Sequence, residues 1–466
     1  MTHHREWTWK RGGVVQVTVD RPVAVVTLFL LQVFTVGAGA GVVKITPERE
    51  LSPQPAAVAH RQIVVPGENT QGTASGPIPA QATLTAKLNG LGTAKVTGVV
   101  LDAATGRTLY DRGSGTPAVP ASTTKIITST AAMAALGSDA RLTTKVVRKG
   151  NRIVLVGGGD PTLTSKAVPT GYPRPASLAD LAKKTAAALK TAGLKSVPVD
   201  YDTSVFQGSR LGPGWKPNYV PEGSVAPVAG LMADNGRVTP NPCEGTVEAS
   251  PDGPTAAATA FGKWLKRYGV TPVKGRAASG SGGTPLADVQ SPPVSALVEH
   301  VMQCSDNDVA EALARHVAIK KGLPPTFEGG AQAVRQVLQS LGVAEGVATV
   351  DGSGLSPRNR ITPLGLARVV ALDAAGKRPE LRTVISGMPV AGFSGTLTER
   401  FTGTTGAGVV RAKTGTLSKV ATLAGIITDR DGRLLTFAFM DNDAVDLGAS
   451  RLILDGLASS VVSCGC

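Results

Sequence analysis

A serine and a lysine three residues apart, Ser122 and Lys125, open an Ala-rich run that extends to Leu136. At 3.6 residues per turn, positions i and i+3 share one helix face, so the lysine amine can reach the serine hydroxyl. A free serine hydroxyl is a weak nucleophile and needs a base beside it. Lysine serves as that base only when neutral, which requires burial or a neighbouring cation to lower its pKa. Pro120 and Ser122 also read as a helix start, which aims backbone N–H groups at the nucleophile. Taken alone, the pair is explained by a helix cap followed by a solvated lysine. It is not alone: Ser305-Asp-Asn307 and Lys413-Thr-Gly415 follow, and Ser-x-x-Lys, Ser-x-Asn and Lys-[Ser/Thr]-Gly each occur once in the chain.

Elements must bring these distant residues together. Val96–Gly106 and Arg107–Tyr110 read as two strands joined by a glycine turn, and the helix bearing Ser122 ends near Gly137. The stretch from Ser122 to Ser305 is long enough to be a domain rather than a loop. It mixes strand-like runs (Arg152–Val156, Ser196–Asp200) with helical ones (Ser177–Leu194, Pro254–Tyr268). Within it, Gly157-Gly-Gly-Asp-Pro161 reads as a tight structural turn, since no phosphate-cradling motif follows. Val294–Met302 and Asn307–Lys321 read as helices on either side of Ser305. Val409–Leu417 reads as the strand carrying Lys413, followed by strands Ala421–Thr428 and Arg433–Met440 around the Asp431-Gly432 turn. A helix over Ala444–Leu457 closes the picture. The fold class is α+β, with helices packed on an antiparallel sheet and a large α/β domain inserted after the Ser-x-x-Lys helix. The expected divisions are 83–137 with 288–466 for the split catalytic domain and 138–287 for the insert.

Ahead of these, residues 1–45 combine a basic flank with an apolar run from Val23 to Val43, the pattern of an export signal or membrane anchor. Cleavage and retention are both compatible with its length. Residues 46–82, rich in Pro, Ala, Gln and Gly, read as a flexible linker. The chain of 466 residues is 42% hydrophobic and carries a net charge of +14. No aromatic-interleaved basic stretch or nucleic-acid motif accompanies that charge, so a basic surface facing anionic envelope polymers and plain compositional bias are the two readings. Four cysteines, Cys243, Cys304, Cys464 and Cys466, allow three pairings and have no metal-finger spacing. Cys304 reads as a buried core thiol, and His300 and His316 as ordinary helix residues. No cofactor and no metal is expected.

The trio is that of serine β-lactamases and penicillin-binding proteins. With Val156-Gly-Gly-Gly-Asp-Pro-Thr-Leu163, Asp351-Gly-Ser-Gly-Leu-Ser356, Gly395-Thr-Leu397 and Lys413-Thr-Gly-Thr-Leu417, the chain over about residues 83–457 resembles the D-alanyl-D-alanine carboxypeptidase/endopeptidases of the penicillin-binding protein 4 type, the low-molecular-mass class C penicillin-binding proteins. The resemblance implies a transpeptidase/β-lactamase-like domain interrupted after the Ser-x-x-Lys helix, acting on peptidoglycan stem peptides and acylated by β-lactam antibiotics. Chemistry and resemblance together make Ser122 the nucleophile, Lys125 its base and Ser305 a proton relay. Asn307 orients Lys125 and the substrate amide, and Lys413 adds positive charge. Thr414, Gly415 and Thr416 form the substrate-binding strand, the threonines offering hydroxyls to the terminal carboxylate. The N–H groups of Ser122 and Thr416 would form the oxyanion hole. Arg358 and Arg360 could contact the third peptide residue, but they read first as solvated surface arginines. A serine β-lactamase and a non-catalytic penicillin-binding wall protein are the alternatives; the first lacks a Glu-x-x-x-Asn deacylation segment over residues 308–412, and the second has no use for Ser122 and Lys125.

Overall fold

The computed structural model describes residues 76–91, 95–167, 172–238 and 247–465. The basic flank, the apolar run and residues 46–75 lie outside the described residues. In chain order the elements are α1 (Gln81–Asn89), β1 (Val96–Asp102), β2 (Thr108–Arg112), α2 (Thr124–Leu136), β3 (Thr143–Lys149), β4 (Arg152–Val156), α3 (Leu178–Thr191) and β5 (Ser196–Asp202). They continue with α4 (Gly253–Arg267), β6 (Thr271–Ala277), β7 (Thr284–Gln290), α5 (Val294–Cys304), α6 (Asn307–Lys320), α7 (Phe327–Ser340), β8 (Val347–Ala348) and β9 (Arg360–Ile361). The rest are α8 (Pro363–Ala374), α9 (Arg382–Ser386), β10 (Arg411–Leu417), β11 (Val420–Thr428), β12 (Leu434–Asp441) and α10 (Leu447–Val462).

The first sheet has the order β10-β11-β12-β1-β2 and is antiparallel throughout. Alternation along its strands sends side chains to two cores. Val99, Leu101, Ala424, Ile426, Ala438 and Met440 pack with α2, α5, α6, α7 and α8 on one face. Val100, Leu423, Phe437 and Phe439 pack with α1 and α10 on the other. Covered on both faces, β11 reads as a nearly continuous apolar run, Val420-Ala-Thr-Leu-Ala-Gly-Ile-Ile, and every one of those residues is buried. Residues 143–290 build a second sheet, order β6-β5-β4-β3-β7, parallel at β4–β5 and β5–β6 and antiparallel elsewhere. Its core is Val146, Ile153, Leu155, Val197 and Val199 against Leu178, Leu181, Leu189, Phe261 and Leu265 of α3 and α4.

Two expectations change here. Residues 76–82 are not linker: Gly76 is buried and its carbonyl accepts from the Arg433 guanidinium, and α1 begins at Gln81 and buries Leu84 and Leu88. Ser122 does not sit in the α-helix but in a 3₁₀ turn, Ala121–Thr123, directly before α2. Proline fixes φ at Pro120, and the following Ala121 adopts a left-handed φ of 48°. The chain therefore turns sharply before the helix and presents the serine at its mouth.

Candidate active site

Every residue of α2 from Thr124 to Met133 is buried, including Lys125, whose relative exposure is 0%. Ile126 and Ile127 beside it are equally enclosed, which is worth about 1.5–3 kcal/mol each. Their burial carries the lysine inward with the helix. Its ammonium finds three oxygens: Ser122 Oγ at 2.9 Å, Asn307 Oδ1 at 2.6 Å and the Ser353 carbonyl at 2.7 Å. Burial pushes the Lys125 amine down from 10.5 to about 8, against the opposing pull of Asp351, Asp306, Glu311 and Asp308. That displacement corresponds to about 3 kcal/mol, a cost of the same order as the stabilisation from burying the two isoleucines.

Ser305-Asp-Asn307 is the junction between two helices. Ser305 ends α5 in the left-handed conformation, φ 54° and ψ 35°, so the chain reverses and α6 begins two residues later. Asp306 caps α6 by accepting from Val309 N at 2.9 Å. Burial works against the Asp306 carboxylate, but its hydrogen bond with His300 and the charges of His300 and Arg237 hold it below the usual range. Asn307 opens α6 and donates Nδ2 to the Ser224 carbonyl at 2.7 Å, which fixes the amide so that Oδ1 faces Lys125.

Lys413 lies on β10, the edge strand of the first sheet, and is also wholly buried. Its ammonium donates to Ser305 Oγ and to the Thr414 carbonyl, both at 2.9 Å. Burial, and then the charge of Lys125, push the Lys413 amine well below its ordinary value. Burial is the leading cause for both amines.

Gly415 lets β10 come against the nucleophile. A Cβ there would lie 2.1 Å from Thr422 Oγ1, 2.7 Å from the Pro120 carbonyl and 3.0 Å from Ser122 N. Thr414 and Thr416 flank it on one face of the strand; Thr414 Oγ1 pairs with Thr396 Oγ1 at 2.8 Å, and Thr416 is exposed. Asp351-Gly-Ser-Gly-Leu-Ser356 forms the floor. Asp351 accepts from Gly354 N, Ser356 N, Asn359 Nδ2 and Trp215 Nε1, and Gly354, at φ +85°, approaches to where a Cβ would be 1.9 Å from the Ala121 carbonyl. This loop places the Ser353 carbonyl on Lys125.

The structure thus brings Ser122, Lys125, Ser305, Asn307, Lys413, Thr414, Gly415 and Thr416 to one place. A cleft of about 490 Å³ opens over Ser122, Ser305, Asn307 and Thr416 and is walled by Lys216, Tyr219, Glu222, Ser224 and Arg237 from the segment between β5 and α4. Arg358 and Arg360 are exposed and not part of that wall; Arg360 turns back to the Pro357 and Asn359 carbonyls. Sequence reasoning missed Ser353, Ser224, Trp215 and Glu311. The first two act through backbone carbonyls, for which any residue type would do. Trp215 had a faint signal, a tryptophan in a chain with four. Cys304 is not a core thiol: it is half-buried on the cleft wall, and both described cysteines, Cys304 and Cys464, are disulfide-bonded. The Gly157-Gly-Gly159 turn packs against the Gly230 carbonyl, Thr143 and His316. No metal-ligating cluster is found among the described residues.

The chain is 40% identical over 383 residues to the carboxypeptidase DacB of Mycolicibacterium smegmatis, covering 80% of this chain and 81% of that protein. It is 38% identical over 434 residues to a carboxypeptidase of Mycobacterium tuberculosis, covering 90% and 91%. The fold is shared with the crystal structure of penicillin binding protein 4 from Haemophilus influenzae, at TM-score 0.66 and 23% identity over 82% of this chain and 98% of that one. The model of the D-Ala-D-Ala carboxypeptidase 3 (S13) family matches residues 80–256 and 243–461, and the chain belongs to that family.

Proposed function

We propose that this carboxypeptidase hydrolyses the terminal D-Ala–D-Ala bond of peptidoglycan stem peptides through an ester on Ser122. The observation that carries the reading is the buried Lys125 amine, 2.9 Å from Ser122 Oγ and lowered to about 8. Neutral Lys125 takes the hydroxyl proton as Oγ attacks the carbonyl between the two D-alanines. The oxyanion is held by the N–H groups of Ser122 and Thr416. As the C–N bond breaks, the proton taken up by Lys125 passes through the Ser305 hydroxyl to the departing amine, which returns Lys125 to its neutral form, while Lys413 donates to Ser305 Oγ and orients it. Asn307 holds Lys125 and the substrate amide, and the hydroxyls of Thr414 and Thr416 receive the terminal carboxylate. D-Alanine leaves, and water releases the shortened peptide.

Cleavage of D-Ala-containing cross-links is a second activity within reach of the same chemistry. The β-lactamase reading is disfavoured because residues 308–412 hold no Glu-x-x-x-Asn deacylation segment. Glu311 is buried behind the lysine, accepting from Gly352 N and Ser353 N, and it is not on the cleft wall. A peptidoglycan substrate supports a location of residues 46–466 outside the cytoplasmic membrane, reached through the N-terminal apolar run as cleaved signal or as anchor. Among the described residues no helix is long and apolar enough to cross a membrane. Mass spectrometry of products from cross-linked and uncross-linked muropeptides tests the function. Loss of one D-alanine by the wild type and none by Ser122→Ala is expected; equal release by both would remove Ser122 from the reaction.

A further inference from the structure

A terminal carboxylate is held most strongly by a cationic donor, and the lysine of this strand is hidden. Lys413 is fully buried, with its ammonium turned to Ser305 Oγ and the Thr414 carbonyl. A different cation stands at the strand. Arg451, in the first turns of α10, is exposed and lies with Nη2 3.4 Å from Thr416 Oγ1. The acid that would ordinarily pair with it on the helix, Asp455 at i+4, is already taken. Arg400 binds Asp455 through Nε at 3.1 Å and Nη2 at 2.5 Å, and its Nη2 also donates to the Arg451 carbonyl at 3.3 Å. Among the described residues Arg451 makes no ion pair, and Thr416 Oγ1 is the one hydrogen-bond acceptor of its side chain. Arg400 therefore does two things: it occupies the competing carboxylate, and it anchors the helix turn from which Arg451 projects.

We propose that Arg451 is a specificity-determining residue that, with Thr416, binds the free terminal carboxylate of the substrate. This rests on the Ser122 reading and on Thr416 facing that carboxylate. A guanidinium suits the role because its fork of donors matches a carboxylate and its charge is fixed. Thr416 lines the cleft and Arg451, outside that lining, stands one hydrogen bond behind it, so a carboxylate accepting from the Thr416 hydroxyl lies within the field of the guanidinium.

The test is kcat/KM for D-alanine-type release from an acyl-D-Ala-D-Ala peptide and from the same peptide ending in a carboxamide, for wild type, Arg451→Gln and Arg451→Lys. A hydrogen bond to a charged group is worth roughly ten- to hundred-fold in kcat/KM. Arg451→Gln should lose that much on the carboxylate peptide, carried mainly by KM, and change little on the carboxamide, and Arg451→Lys should recover part of it. Because Arg451 is exposed, all three proteins should fold and be acylated at Ser122. Unchanged turnover of the carboxylate peptide by Arg451→Gln, or a parallel fall on both peptides, would overturn this inference alone. A wild type that turns over and prefers neither peptide would overturn carboxylate recognition at Thr416 and this inference with it. A wild type that releases no D-alanine and forms no Ser122 ester would overturn the functional reading as well.

Discussion

Two lysines in one buried site cannot both be charged cheaply, and the chemistry of the site follows from which of them gives up its proton. Lys125 retains nearby carboxylates and settles near 8, whereas Lys413 has burial and Lys125 acting against it. Lys125→Ala removes the base and should slow acylation of Ser122 by about 10²–10⁴-fold, measured by the rate of labelling with a fluorescent penicillin. A folded variant that acylates at the wild-type rate would exclude Lys125 as the base. Because the neutral amine is the working form, wild-type acylation should rise with pH through an apparent pKa near 8 and level off above it. A flat profile from pH 6 to 9 would contradict this. The same displacement links to stability with a definite sign. The unfolded chain holds the Lys125 proton up to its ordinary 10.5 and the folded chain releases it near 8, so this residue's contribution to stability grows as pH rises between those values.

At the scale of elements, the site is a meeting of three turns. The Ala121–Thr123 turn presents Ser122, the α5–α6 junction presents Ser305 and Asn307, and the Asp351–Ser356 loop presents a carbonyl. Two of these hold non-glycine residues in left-handed conformations, Ala121 and Ser305, the kind of strain that persists only where the surroundings enforce it. Gly415→Ala should separate β10 from the serine, since the added Cβ meets backbone at Pro120 and Ser122 that cannot yield as a side-chain tip can. Overpacking of this kind costs about 1–3 kcal/mol, so a lower Tm and slower acylation together are expected in thermal unfolding and labelling assays. A variant with wild-type Tm and labelling would show that the close approach is unimportant. These turns also explain what was legible from sequence. Ser-x-x-Lys, Ser-Asp-Asn and Lys-Thr-Gly were visible because they need particular side chains. β11 and β12 were visible through unbroken apolar runs around Asp431-Gly432. β6 was not, because it is mostly exposed and carries Lys274, Gly275 and Arg276 in its middle. α7 was hidden by Gly329-Gly330 in its first turn, and α8 by Pro363 at its start; both sit at helix N-termini where such residues are tolerated. The Ser224 and Ser353 carbonyls had no residue-type signature at all.

For the whole molecule, the insert is more than a neighbouring domain. Its loops supply the Ser224 carbonyl to Asn307, the amide of Ala226 and the guanidinium of Arg237 to Asp308, and Trp215 to Asp351. Replacing residues 138–287 by a short linker should therefore disturb Asn307 as well as open the cleft, and slower penicillin labelling of any folded deletion is expected. The N-terminal run predicts an external enzyme: protease added to intact spheroplasts should degrade it, and protection until lysis would contradict that placement. The central claim, that Ser122 forms the acyl-enzyme in a site built for peptides, is tested most directly by intact-mass spectrometry after exposure to penicillin, with peptide mapping of the adduct. Ser122 Oγ attacks the ring carbonyl, the ring C–N bond breaks, and the freed amine takes up the proton but stays tethered, where it obstructs water. Residues 308–412 hold no Glu-x-x-x-Asn segment to activate that water. One penicilloyl group on Ser122, persisting for many minutes and absent from Ser122→Ala, is the expected result. Rapid loss of the adduct with catalytic hydrolysis of penicillin, or no adduct on a folded protein, would contradict the account.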